Sequence, residues 1–596
     1  MELRPVRRRT QHRLAGGLLA LGVLPGALAL QADAAVRDHP TLVPTAPTQG
    51  YPLILNAPLI PLPNGTFQHL QVLATDQVGR YIVSGGDFQR IRLQNGSTIE
   101  HPYFAAWNID TKQLVCPTLD FDNEVFAIAE GPSSHLAYVA GKFSKVTGAD
   151  GRTVVRSKLA LIDLDTCSID ATFVPGIVDL KIDRLAYDAD RLFIGGDFTM
   201  IGTTDNDIVA ELDPVTGTVI PAFHPDFKGA VASKIKALAI SPDGTRLVMA
   251  GRFGTVANNG VSLDTETAVF DISDSTKPRL TAHSWRSPHD RVLQQDASVS
   301  PDGKWIGVVY RGTDAPNLNV FLISTAESPQ TERWVHAMGN SVFGVGVSNN
   351  AVYVGGHFCR IAAGPGPTDP MSPAMGITDC DGHPDSIWRG HIAALSITDG
   401  TPLTWNPGAD SSTGGRVFRV TTRGLLAGFD GERTDNIRTG ALAFYDFGPG
   451  VEDSTAPGEV LFNSPAEGAE VTTDVRISGA ATDNVGVAMY GVTIRADDGR
   501  FLQANATFAG RRVERRLLAG PDGGFVIDIS LEAGAYAVEA VAFDQDGNRS
   551  NTLATRSFTT VNRPVDPPPT TGLDVIDQAA DSSLVSAVRV GSPVGG

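Results

Sequence analysis

The sequence predicts an all-β fold of repeated units followed by a second all-β domain, and three observations predict it. A short phrase recurs: Val83-Ser84-Gly85-Gly86-Asp87-Phe88, Val139-Ala140-Gly141-Lys142-Phe143, Ile194-Gly195-Gly196-Asp197-Phe198, Met249-Ala250-Gly251-Arg252-Phe253 and Val354-Gly355-Gly356-His357-Phe358. Its first four phenylalanines, Phe88, Phe143, Phe198 and Phe253, are 55 residues apart each time. The composition, 63 Gly and 38 Pro in 596 residues with short alternating apolar runs, suits many strands joined by turns. Finally, the rhythm stops after Phe447-Gly448-Pro449-Gly450 and a different strand pattern begins. A fixed period of this size built from strands points to a β-propeller. The later pattern points to an Ig-like β-sandwich.

Taken in order, residues 1–35 read as a signal peptide. Arg4, Arg7, Arg8, Arg9 and Arg13 form a positive front, Leu18 to Leu30 an apolar run, and Ala32-Asp33-Ala34 a small-residue cleavage pattern. The run is shorter than the roughly 20 residues a membrane span needs. No transmembrane span is expected, and the protein is expected to be secreted, extracellular or at the cell surface, the periplasm included.

Residues 36–450 carry the repeat. Within Val178 to Pro221, Asp183 to Tyr187 reads as one strand and Arg191 to Phe198 as a second. Ile208 to Asp213 reads as a third and Thr218 to Ile220 as the start of a fourth. Four short antiparallel strands make one blade, and both faces of each blade must be buried on its neighbours. Ser241-Pro242-Asp243-Gly244 and Ser300-Pro301-Asp302-Gly303 read as hairpin turns. Tyr310 is aligned with the repeated Phe, which places Val309 at the polar position of a degenerate fifth blade. Phe358 marks the sixth, and Gly424 to Phe429 a seventh phrase shortened by one residue. Seven blades follow. The Gly pair is expected to admit a bulge or a close backbone approach, and the aromatic to fill space between blades.

The phrase, its period and the downstream Ala-x-Leu-Asp/Asn-x-x-Thr-Gly pattern resemble the delta-60 β-propeller repeats of exported bacterial proteins, relatives of which occur in fungal cell-polarity wall proteins. The resemblance spans roughly residues 50–448. It implies a propeller and no catalytic residue set.

The residue between Gly and Phe is the one variable polar position: Asp87, Lys142, Asp197, Arg252 and His357. Its alternating sign suggests two readings, an ion-pair girdle between blades or a polar ring lining a ligand funnel. These five are the candidate binding residues. The even count of four cysteines in an exported chain favours disulfides. Cys116 and Cys167 occupy comparable places in consecutive repeats. Cys359 and Cys380 would close a local loop, and this is the preferred of three pairings. A zinc site from His357, Cys359, Cys380 and His383 is the weaker alternative. The insertion from Ala362 to Asp385 is the longest departure from the repeat and a candidate for specificity.

Residues 451–561 show strand-like runs at Glu459 to Asn463, Val475 to Ser478, Met489 to Arg495, Phe525 to Leu531, Tyr536 to Asp544 and Thr555 to Thr560. Ser478 to Val487 looks like part of a bacterial surface Ig-like module. Its Asp-rich loops read as turn chemistry, with calcium at Asp483, Asp544 or Asp546 the minority alternative; no other cofactor is expected. Residues 562–596 open with Arg563 to Pro569, a stiff Pro-rich linker, and continue as an unpatterned, disordered tail.

The net charge of −18 argues against nucleic acid, which needs a basic face. No nucleophile elbow, metalloprotease helix or Walker loop is present, so no catalytic residues are assigned. The expected function is non-enzymatic binding of a glycan or a cell-envelope protein by a monomer, with the Ig-like module as spacer or adhesive unit. The alternative is a secreted glycan hydrolase or lyase with its site in the funnel.

Overall fold

The computed structural model describes residues 41–562 apart from 56–59, 62–66, 69–70, 189–190, 229–233, 286–292, 312–317, 326–331, 366–385, 412, 448–454, 485, 503–507, 511, 513, 521–522 and 545–548. The signal peptide, most of the 362–385 insertion and the Pro-rich tail therefore lie outside the described residues. Within them the chain is all β, in many small sheets, with no helix.

Seven of these sheets, three- or four-stranded and antiparallel, follow one another along the chain. Their first two strands are Val72–Val78 and Tyr81–Gly86, Val125–Glu130 and Leu136–Gly141, Ile182–Asp188 and Arg191–Gly196, Lys234–Ile240 and Arg246–Arg252, Leu293–Val299 and Trp305–Arg311, Val342–Val347 and Ala351–Gly356, and Val417–Thr421 and Gly424–Gly428. We call these sheets the first to seventh modules. The first strand of each packs against the first strand of the next, and that of the seventh against that of the first. The ring is closed.

Burial explains why these strands are apolar on both faces. Seven of the eight buried apolar clusters among the described residues are each shared by two consecutive modules. Val83, Phe104 and Ala106 of the first module, for instance, meet Ile128, Val139 and Ala160 of the second. One seam joins Leu426 and Phe444 of the seventh module to Ile82, Ala105 and Trp107 of the first. Phe88, Phe143, Phe198, Phe253 and Phe358 are all buried within these clusters.

The second glycine of the phrase has a specific duty. A Cβ at Gly86, Gly141, Gly196, Gly251 or Gly356 would collide with the carbonyl oxygen of Gln71, Glu124, Lys181, Lys234 or Ser341, the residue that precedes or opens the first strand. Six of the seven first strands also carry a one-residue bulge, at Val72/Ala74, Val125/Ala127, Ile182/Arg184, Ile235/Ala237, Gln294/Asp296 and Val342/Gly344.

Register corrects the alignment of the fifth module. Tyr310 faces Gln294, and Val309 faces Val320 on the third strand, just as Gly85 faces Phe104. Tyr310 therefore takes the place of the second glycine, not of the repeated Phe, and Arg311 rather than Val309 holds the polar position. Matching by aromatic character misled here, because Tyr310 fills the core against Trp285 and Phe321 from a different register. In the seventh module Phe429 donates its N–H to Ala441 O as Gly86 does to Tyr103 O, so Asp430 stands where Asp87 stands.

The seam between the seventh and first modules is reinforced twice. Arg419 grips Asp76 with two bonds of 2.8 and 2.9 Å, and Arg423 bridges Asp446 and Asp110. The segment 41–55 then crosses three modules. Val43 N–H donates to the Tyr353 hydroxyl, Trp405 Nε1 to Pro44 O, and Thr48 N–H to Phe444 O. Leu53–Leu55 pairs with Arg90–Arg92, beyond the second strand of the first module. The disulfide expected between consecutive repeats is present as Cys116–Cys167, joining the first module to the second.

Residues 455–562 form two sheets. One orders Leu461–Ser464, Asp474–Ala480 and Gly524–Ser530; the other contains Ala469–Thr472, Ala554–Val561, Gly534–Asp544 and Val487–Ala496. One core, with Phe462, Ile477 and Phe525 from the first sheet and Tyr490, Val538 and Phe558 from the second, lies between them. Each strand-like run seen in the sequence is matched by a strand here, and Ala469–Thr472, Phe501–Leu502, Phe508–Ala509 and Arg515–Leu518 are additional.

Candidate functional site: a charged rim

Each module ends its second strand opposite the residue that opens its first. Asp87 N–H donates to Gln71 O, Lys142 to Glu124 O, Asp197 to Lys181 O and His357 to Ser341 O, while Arg252 is in register with Lys234. The five sequence-predicted positions therefore occupy one structural register, at the same end of every sheet, around one rim of the ring.

Their partners differ from an alternating girdle. Asp87 is nearly buried, and its carboxylate accepts from Gln71 N–H at 2.6 Å. Lys142 pairs with Glu124 of its own module. Asp197 pairs with Lys181 at 3.4 Å and with Lys234 of the next module at 3.0 Å, not with Lys142 or Arg252. Burial pushes the Asp197 carboxyl up, but the bond from Lys234 and the charge of Lys181 outweigh it and hold the group below its ordinary range. Arg252 and His357 are exposed.

The rim also contains residues that the phrase does not mark. Phe126 and Phe343 sit at the bulges of the second and sixth modules. Lys142 Nζ and Lys181 Nζ stand 5.2 and 5.4 Å from the Phe126 ring centroid, and the Arg416 guanidinium stands 4.3 Å from that of Phe343. Asp183 and Lys236 are the bulge residues of the third and fourth modules. Lys181 reaches Asp183 as well as Asp197. Arg184 donates to Lys236 O through Nε and to Asp183 O at 2.8 Å. The signal in the sequence was positional: each of these residues lies at, or within two residues of, the start of a first strand.

Farther along the first strand of the fifth module, Asp296 is half-buried and accepts Val345 N–H at 3.1 Å; burial raises its carboxyl to about 6. Asp183 and Asp197 are bound by lysines, which leaves neither as a free acid–base pair. Cys359 is disulfide-bonded, which removes it from the zinc alternative; Cys380 and His383 lie outside the described residues. Asp483 accepts Gly486 N–H at 3.1 Å, as a turn residue does, and Asp544 is buried; Asp546 lies outside the described residues.

No protein-family model matches the chain, and a search of curated proteins returns no match. Among solved structures the chain is similar to a chain of the mitotic checkpoint complex, at 13% identity and a TM-score of 0.40, covering 72% of this chain and 99% of that one. It is also similar to the extracellular domain of a one-component system from B. thetaiotaomicron, at 9% identity and a TM-score of 0.22, covering 85% and 76%. Superposition this loose carries no functional argument. Among the described residues no helix is long and apolar enough to cross a membrane.

Proposed function

We propose that the seven modules are the blades of a seven-bladed β-propeller of the delta-60 repeat kind, that residues 451–561 are an Ig-like β-sandwich, and that the propeller binds an extracellular ligand on its charged rim without transforming it. One observation carries this: the variable residue of every phrase falls in the same register on one rim of a closed ring. The constant residues of the phrase pack, as Gly196 and Phe198 do. The variable ones stand at the strand ends, with Lys142, Arg252 and His357 open to solvent. A rigid ring with a varied polar rim is a binding surface. Secretion is supported by the leader pattern of residues 1–35 and by the Cys116–Cys167 bond, which suits an oxidising compartment. The ligand class is a glycan or an envelope protein, and the Ig-like unit serves as spacer or adhesive module.

The test is a glycan array and an envelope-protein overlay probed with the full chain and with Lys142→Ala, Arg252→Ala and His357→Ala. The proposal expects a ligand that the full chain binds and leaves chemically intact, with weaker binding by at least one variant. Turnover of the bound glycan would favour the hydrolase or lyase alternative. Binding insensitive to all three substitutions would move the function off the rim.

A further inference from the structure

The rim's charge is unevenly spread. Over the second to fourth modules six cations, Lys142, Lys181, Arg184, Lys234, Lys236 and Arg252, stand among three carboxylates, Glu124, Asp183 and Asp197. At these positions cations outnumber carboxylates six to three in a chain whose net charge is −18, with Asp296 of the fifth module also within the charge of Arg184.

The fold does not need this excess. Where the phrase residue faces the residue opening the first strand, the second and third modules set opposite charges together, Lys142 with Glu124 and Asp197 with Lys181. The fourth module places Arg252 directly opposite Lys234, and like charges in that cross-strand position are destabilising. Asp197 of the third module answers Lys234. Among the described residues nothing answers Arg252, and the ammonium of Lys236 likewise has no carboxylate or carbonyl bonded to it. Lys236 is partly enclosed beside Arg184, Lys181 and Lys234. Burial first, then the charge of Arg184, lowers its ammonium to about 8 against the opposing charge of Asp183. Arg252 and Lys236, on one module and neither bonded to a carboxylate among the described residues, leave a place for a counter-ion to be supplied from outside. The Phe126 ring borders the same stretch of rim, with the ammoniums of Lys142 and Lys181 over it.

We infer that the rim over the second to fourth modules is an anion site, taking the oxyanion of an extracellular polymer, a carboxylate or a phosphate, on the arc that carries Lys236 and Arg252. This deepens the rim-binding proposal and rests on it. Lys234 and Arg184 frame the site, and Lys142 and Lys181, over Phe126, continue it toward the second module.

The experiment titrates the full chain by calorimetry with polygalacturonate, with a polyglycerol phosphate and with neutral dextran, at low and high salt. Lys236→Met and Arg252→Ala are titrated in parallel. A second readout follows acetylation of Lys236 by peptide mass spectrometry with and without each polymer, and needs no variant to fold. The inference expects one or both anionic polymers to bind, with affinity falling as salt rises. It expects each substitution to weaken binding about tenfold and the bound polymer to protect Lys236 from acetylation. The polymer that binds identifies the oxyanion as carboxylate or phosphate. Anionic polymers that leave Lys236 unprotected, or that bind both variants as tightly as the unaltered chain, would overturn it. Rim-dependent binding of dextran without binding of either polyanion would overturn this inference and leave the rim-binding proposal standing. Loss of any rim-dependent ligand would sink both.

Discussion

At the second glycine of each phrase a single added methyl group meets a backbone oxygen that cannot move without displacing a first strand. Gly196→Ala would drive its Cβ into Lys181 O, whereas Gly364, with open space around it, accepts a Cβ freely. We expect Gly196→Ala to cost about 1–3 kcal/mol and Gly364→Ala less than about 0.5 kcal/mol in urea unfolding. A second residue-scale prediction concerns His336, which is fully buried on the fifth module. Neither of its ring nitrogens has a well-formed partner, only the backbone of Ala362 comes near, and burial lowers its imidazole to about 4. Between pH 6.5 and 4 the unfolded chain takes up a proton that the folded chain refuses, so stability falls with pH, by up to about 3 kcal/mol for one such group. His101, lowered to about 4 by burial, acts in the same direction. Asp296, raised to about 6, acts oppositely: between pH 6 and 3.8 the folded chain takes up the proton and gains stability. With two histidines against one carboxyl, thermal melts should show a net loss of stability from pH 6.5 to 4. His336→Leu should flatten that loss, and an unchanged slope in the variant would contradict the assignment.

At the scale of elements, the disulfide gives the clearest expectation. Cys116 and Cys167 are 51 residues apart and tie the end of the first module to the second. Replacing both by Ser should cost about 4 kcal/mol on loop-closure entropy, read by denaturant unfolding of the double variant. Much of the element order was legible in the sequence. The runs Asp183 to Tyr187, Arg191 to Phe198 and Ile208 to Asp213 are strands at nearly those bounds, because two-sided burial makes such strands apolar and sharply bounded. Less legible were the second hairpins that follow the phrase, such as Thr255–Asn258 with Val261–Asp264. Their strands are only four residues long and half exposed, too short for their alternation to stand out from turns. Tyr310 misled for a related reason: composition marks an aromatic, but only register says which position it fills. The rim was half legible. Asp87, Lys142, Asp197, Arg252 and His357 stood out as the variable letter of a constant phrase. Phe126, Lys236 and Arg184 did not, since a bulge that re-aims a side chain has no signature in a single sequence.

The whole molecule is held by closure, and its seam is where the chain's two ends of the ring meet. Arg423 and Asp446 are both nearly buried, so Arg423→Ala leaves a carboxylate enclosed without its cation. We expect a loss of about 3 kcal/mol there. Arg419 is partly exposed, and the loss for Arg419→Ala is expected to be smaller, about 1–2 kcal/mol, although it strands the buried Asp76. Differential scanning calorimetry of the two variants checks the order. At this scale the charge distribution also acquires meaning: an acidic chain gathers six cations on one arc of one rim, and among the described residues two of them, Lys236 and Arg252, have no bonded carboxylate. The measurement that tests this account most directly is hydrogen–deuterium exchange of the full chain with and without polygalacturonate. The account predicts slowed exchange at the openings of the first strands, around residues 124–127, 181–185 and 234–238, with the strands of residues 461–561 unchanged. Slowed exchange confined to residues 461–561, with the rim unaffected, would contradict it.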